Sequence, residues 1–215
     1  MDMSRFARWA PLTGVLFFVL AVAGVLLAGP DSPSFPDDPQ KYLSYYSDDS
    51  GRVILGSWLS CLGAFSLLWF LGSLSTWLHA VEPGSSRLAR IAHGGGVAGS
   101  ALLIAGFIAN MIPAFRVDQD KALSADVAVS LGDLSTGLVF VAAPFALAAM
   151  LGATAVAALR TAALPAWWCW VTAVIAIALL VIWISFLALA LFTIWVLVMA
   201  VLLYRRQAAV VPAAA

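Results

Sequence analysis

The chain has 215 residues, of which 63% are hydrophobic and only 10% charged, with eleven basic and eleven acidic side chains and a mean hydropathy of +1.01. A soluble domain carries about 25% charged residues, so there is too little polar surface here to cover a globule. The composition excludes a soluble enzyme, a disordered chain and a nucleic-acid binder, which would need a basic excess.

A membrane-crossing helix needs about 20 mostly apolar residues. The first candidate covers 12–28 and is stopped by Gly29-Pro30. Arg5 and Arg8 ahead of it also fit a secretory leader, but the apolar stretch is long for one and Pro30 sits poorly after a cleavage site. No cysteine follows to accept a lipid, which excludes a lipoprotein. An outer loop is expected over 29–52, where Pro33, Pro36 and Pro39 suggest extended backbone. The second span covers 53–78, and the third covers 88–112 and is ended by Pro113. A second outer loop covers 113–130, and the fourth span 134–159 contains Pro144, which should kink it by removing a backbone donor.

The last apolar run, Trp167 to Tyr204, carries no charge. As one straight helix it would be about 57 Å long, nearly twice the roughly 30 Å hydrocarbon core. Two spans, 167–183 and 187–204, fit instead, with a turn near Trp183-Ile184-Ser185. The alternative is five spans with one long final helix. The expected fold is therefore an all-α, polytopic transmembrane bundle of six spans, forming a single membrane domain over 1–215.

Charge placement tests the count, because Lys and Arg favour the cytoplasmic side. With six spans, Arg5, Arg8, Arg87, Arg90, Arg160, Arg205 and Arg206 share one side with only Asp2 and Glu82. The other side receives Lys41, Arg52, Arg116 and Lys121 with the nine remaining acids. Both termini are then cytoplasmic, whereas five spans would put Arg205-Arg206 outside. Trp9, Trp77, Trp167, Trp168 and Trp170 fall near the inner interface, where indoles are favoured. Trp58, Trp69 and Trp195 are expected in core packing.

Small residues repeat at four-residue spacing within the spans: Gly95 and Gly99; Gly56, Ser60 and Ala64; Ala149, Ala153 and Ala157. Such stripes let helix backbones approach closely. Charges in the middle of the hydrocarbon mark relays and ion paths, and this chain has almost none. Counting back from Arg160 places Asp133 about two turns beyond the outer boundary of the fourth span. Arg52 and Asn110 sit at the same outer depth.

The remaining polar cluster faces outward. Tyr45, Tyr46, Asp48, Asp49 and Arg52 precede the second span, and Arg116, Asp118, Asp120, Lys121 and Asp126 flank the third and fourth. A small ligand or ion site would use Arg52, Asn110, Arg116, Asp133, Asp48 and Asp49. The structural alternative is solvated loop charge with one ion pair, Arg52 with Asp133, neutralising two costly charges at an interface.

No catalytic, cofactor or metal constellation is present in the sequence. His93-Gly94-Gly95-Gly96 matches an esterase oxyanion tetrapeptide, but no Gly-x-Ser-x-Gly elbow accompanies it. His79 and His93 lack further ligands. Asp31, Asp37 and Asp38 lack the EF-hand pattern. Cys61 and Cys169 lie inside apolar runs, far from a disulfide framework.

Two stretches carry a resemblance: Tyr45-Tyr46-Ser47-Asp48-Asp49-Ser50-Gly51-Arg52, and Ala157-Ala158-Leu159-Arg160 followed by Leu164-Pro165-Ala166-Trp167. With the span layout they resemble a family of uncharacterised actinobacterial six-span integral membrane proteins, a domain of unknown function. The resemblance implies a lineage and no catalytic residue. Nine Arg against two Lys fits a GC-rich bacterial genome. The expectation is a non-enzymatic, multi-pass protein of the bacterial cytoplasmic membrane, an accessory or partner-binding subunit with no cofactor. Its partners would be the bilayer and another membrane protein or a second copy. The alternative is a transporter or receptor for a small extracytoplasmic ligand, which requires an outer cavity between the second, third and fourth spans.

Overall fold

The computed structural model describes residues 9–28, 32–33, 37–82, 84 and 86–210, the last four by backbone only. Asp2, Arg5, Arg8, Gly29, Pro30, Asp31 and Pro36 lie outside the described residues. Every regular element among the described residues is helical. A 3₁₀ turn, Ala10–Leu12, leads into α1 (Thr13–Ala28). Then come α2 (Pro39–Asp48), α3 (Ser50–Val81), α4 (Arg87–Asp118) and α5 (Ala125–Gly137). A π-helical segment, Leu138–Ala142, joins α5 to α6 (Ala143–Thr161). Finally α7 (Ala166–Leu179) and a 3₁₀ turn, Ile182–Ile184, precede α8 (Ser185–Val210).

Five helical segments are long and apolar enough to cross a bilayer, and α7 is a shorter apolar helix. The chain is a multi-pass membrane protein. Neighbouring helices run antiparallel, as close contacts show. The α1–α3 crossing brings Gly56 against the backbone of Gly24 and Ala28, while Gly63 meets Ala21 and Gly14 meets Phe70. Across α3–α4, Cys61 donates to the Ile104 carbonyl and Asn110 to Ser57. Across α4–α6, a Cβ on Gly95 would lie 2.6 Å from the Ala146 carbonyl oxygen, and Gly99 faces Leu147. The expected glycine and serine stripes are these interfaces. In the fourth-span stripe, Ala153 and Ala157 are buried, but Ala149 lies on the surface.

The charge-free run folds as a hairpin. Trp168 Nε1 points at Met199 Sδ (3.3 Å), and Trp195 Nε1 donates to Thr172 Oγ1 (2.8 Å). Both pairs are equidistant from a turn at 183–184, which fixes α7 and α8 as antiparallel. The returning α8 packs against α1, where the Phe17 and Phe192 rings meet and Trp9 lies 5.8 Å from Tyr204. The two ends of the described chain therefore lie at one end of the bundle, as an even number of passes requires.

Four features depart from the sequence expectations. The 29–52 connection is not wholly loop, because α2 forms within it. Asp38 caps its start by accepting from the Gln40 N–H (2.8 Å), and Pro39 occupies the first turn, where its missing donor costs nothing. Pro113 does not end the third span. It is buried within α4, which runs on to Asp118 because Ala114 is packed under α2. The outer loop is accordingly only the stretch between α4 and α5. Trp58 and Trp69 are half exposed on the outside of the bundle, facing where lipid lies, whereas Trp195 is 1% exposed and belongs to the core.

At Pro144 the structure shows a widened turn, the π-helical segment just before it. Pro144 cannot donate to the Phe140 carbonyl, and the ladder widens there, with Ala143 N–H reaching back to Leu138.

Candidate functional site

The outer polar residues divide into three groups. In the first, α2 lies over the ends of α4 and α5. Pro39 sets its start, and the four-residue spacing of Tyr42 and Tyr46 turns both rings inward, 2% and 1% exposed. The Tyr42 hydroxyl donates to Asp133 Oδ1 (2.5 Å). The Tyr46 hydroxyl donates to Asn110 Oδ1 (3.0 Å), and Asn110 Nδ2 donates to Ser57 Oγ (3.1 Å). Gly132 makes room for this arrangement: a Cβ there would lie 2.5 Å from Tyr42 Cε1. Val53, Ala114 and Ala128 complete a small core beneath α2.

Burial is the larger influence on both phenols, pushing each well above its ordinary range. For Tyr42 the facing Asp133 carboxylate pushes the same way. For Tyr46 the neighbouring Tyr45 does. Both tyrosines stay neutral donors at any physiological pH.

The second group is exposed. Arg52 pairs with Asp49 (Nη1 to Oδ2, 2.9 Å) rather than with Asp133. The expected Arg52–Asp133 pair does not form, because Tyr42 occupies the carboxylate and the i,i+3 partner on its own helix is nearer. Asp48, Asp49 and Arg52 line an open cleft of about 280 Å³ with Lys41, Ser44 and Tyr45, and Lys41 pairs with Asp37. The third group is separate again. Arg116 Nη2 donates to the Ala122 carbonyl (3.1 Å) beside Gln119 and Lys121.

The six predicted site residues therefore do not form one site. Asn110 and Asp133 share the network under α2, Asp48, Asp49 and Arg52 share the cleft, and Arg116 stands apart. The space between α3, α4 and α5 at this end, where a ligand cavity was expected under the transport reading, is filled by the Tyr42 and Tyr46 rings. Sequence reasoning missed Tyr42 and Ser57. The available signal was an Asp-Pro helix start followed by tyrosines at i and i+4.

At the opposite end, Glu82 closes the start of α4. Its carboxylate accepts from the Leu88 N–H (3.1 Å) and the Ala89 N–H (2.9 Å). The bond from Ala89 is the largest influence and, with that from Leu88, holds its pKa below the usual range against the opposing effect of desolvation. His79 Nδ1 contacts the Ser75 carbonyl of its own helix (2.8 Å). The His93-Gly94-Gly95-Gly96 stretch is helical, within α4. Among the described residues, no group of three His, Cys, Asp or Glu side chains is placed to hold a metal.

Within the spans, the buried hydroxyls of Ser60, Ser66, Ser100, Thr154 and Thr172 each donate to the carbonyl four residues earlier. No known protein family, curated protein or solved structure matches the chain.

Proposed function

We propose that this chain is a non-catalytic accessory or partner-binding subunit of the bacterial cytoplasmic membrane, with both termini cytoplasmic. The observation that carries this reading is where its polar groups are engaged. Inside the spans, the hydroxyls of Ser60, Ser66, Ser100, Thr154 and Thr172 each donate to a carbonyl of their own helix, which favours packing over a polar path between the faces. At the outer end, Tyr42 bonds to Asp133 and Tyr46 to Asn110, which bonds on to Ser57, and these two sets hold α2 as a cap. What the cap leaves exposed is a polar face carrying Gln40, Ser44, Ser47, Asp48 and Asp49, a surface suited to a partner's extramembrane segment. The nine Arg against two Lys and the resemblance read in 45–52, 157–160 and 164–167 are the grounds for the bacterial setting, and the basic excess at the end holding Arg87, Arg90 and Arg160 supports the orientation.

The test has two arms. In proteoliposomes containing this protein alone, solute and proton flux should stay at the level of empty vesicles. In the native membrane, cysteines at Ser44 and Ser47 should crosslink to one membrane component in fixed ratio. Flux above background from the protein alone would overturn the reading, as would the absence of any crosslink.

A further inference from the structure

The hollow at the end of α4 has the chemistry of a phosphate site at the depth of a lipid headgroup. Its depth follows from two independent counts. Twenty residues, about 30 Å of helix, separate Arg90 from Asn110, so the hydrocarbon that begins near Arg90 ends near Asn110. On the other side of the bundle, the hairpin tip is apolar throughout: Val181, Ile182, Trp183 and Ile184 are exposed, Trp183 at 93%. The ring of Phe186 meets that of Phe140, two turns below Asp133. A tip of this composition stays at or below the hydrocarbon boundary, where a lone indole is favoured. Both counts put the boundary between the levels of Phe140 and Asp133. Residues 112–122 then lie in and just beyond the headgroup layer.

There, Ile112, Phe115, Arg116, Gln119, Lys121 and Ala122 line an open hollow of about 380 Å³. Its geometry is fixed by the helix end. Asp120 takes a left-handed conformation (φ 54°), and the Lys121 N–H returns to the Arg116 carbonyl (2.9 Å), which folds the chain back so that both residues line the hollow. The other two cations at this end, Lys41 and Arg52, each have a carboxylate partner. Among the described residues, Arg116 and Lys121 have none within ion-pair distance, although Asp118 and Asp120 lie between them in the chain. On the membrane side of the hollow, Ile112 and Phe115 are about 40% exposed, an apolar wall continuous with the lipid-facing surface.

We propose that this hollow binds the phosphodiester of a phospholipid from the leaflet at the capped end. Arg116 and Lys121 hold the phosphate oxygens, and the acyl chains lie along Phe115 and Ile112. A bound lipid of this kind needs only the membrane setting and is independent of the accessory-subunit reading.

Native mass spectrometry of the detergent-purified full chain tests it. Phosphatidylglycerol, diacylglycerol and inorganic phosphate serve as probes, and the wild type is compared with R116Q/K121Q and with K121Q alone. One phosphatidylglycerol should be retained by the wild type and weakened roughly 25-fold in the double variant, from about 1 kcal/mol of attraction for each of the two cations near a phosphate layer. K121Q, which removes a side chain with no hydrogen bond or ion pair among the described residues, should give an intermediate loss at an unchanged melting temperature. Equal retention by wild type and both variants would overturn the proposal, as would equal retention of diacylglycerol, which means acyl contact only. Displacement of the lipid by millimolar inorganic phosphate would also overturn it, because the site would then read a soluble anion.

Discussion

Replacing Tyr42 with phenylalanine isolates the bond that fastens α2 to the bundle. The ring is 2% exposed and Phe preserves its packing, so what is lost is the donor to Asp133. A hydrogen bond to a charged acceptor contributes about 1.5–3 kcal/mol. Asp133 is only partly buried and regains some hydration when the cap loosens, which favours the lower half of that range, about 1.5–2 kcal/mol. At roughly 1.4 kcal/mol per tenfold, the open population of α2 should rise about 10- to 30-fold. Amide hydrogen exchange in nanodiscs reads this directly. The amides of residues 40–48 should exchange faster by that factor, while the amides of Ala64 to Leu74 in α3, deep in the main core, should not change. Asp133→Asn keeps an acceptor oxygen without the charge and should give a smaller effect. Unchanged exchange in α2, or equal acceleration in α2 and α3, would show that the Tyr42–Asp133 bond does not hold the cap.

Gly56→Ala and Gly72→Ala should move the melting temperature in opposite directions. A Cβ at 56 would lie 2.7 Å from two backbone atoms of α1, an overpacking of about 1–3 kcal/mol, whereas at 72 nothing lies within 4 Å and the helix gains up to about 1 kcal/mol. A parallel shift would discount the α1–α3 crossing. Trp195→Phe removes the donor to Thr172 and leaves a void, which together should destabilise by about 2–4 kcal/mol; an unaltered thermal melt would remove the hairpin from the core. Glu82 gives a pH dependence. Its folded pKa lies below the ordinary 4.5, so its stabilisation is fully present above pH 4.5 and is lost as pH falls through the folded value. Melting curves between pH 6 and 3 should show this loss, and Glu82→Gln should flatten it; an equally steep variant would assign the acid sensitivity to other carboxylates.

Much of the architecture was legible in the residues. Hydropathy located the spans, because a bilayer imposes a minimum apolar length. Length alone also split Trp167 to Tyr204 into a hairpin and put its turn near Trp183, where the Trp168–Met199 and Trp195–Thr172 pairs now centre it. The glycine stripes found their partners because close backbone approach demands missing side chains. The outer site was legible only as a list of polar residues at similar depth.

What only the tertiary structure decided was which of those residues meet. Arg52 took the local partner, Asp49, while Asp133 took Tyr42, 91 positions away. Pro113, read as a stop, lies inside a helix carried onward by Ala114 packing beneath α2. Trp58 and Trp69, read as core, face outward. Lipid is about as apolar as the protein interior, so hydrophobicity along the chain shows that a helix is in the membrane and not which of its faces is inside. The eleven basic and eleven acidic residues, divided unequally between the two ends, supplied the expected polarity of the bundle, while the fold alone distributed the acids and cations of its capped end between a closed network, a paired cleft and an unpaired hollow.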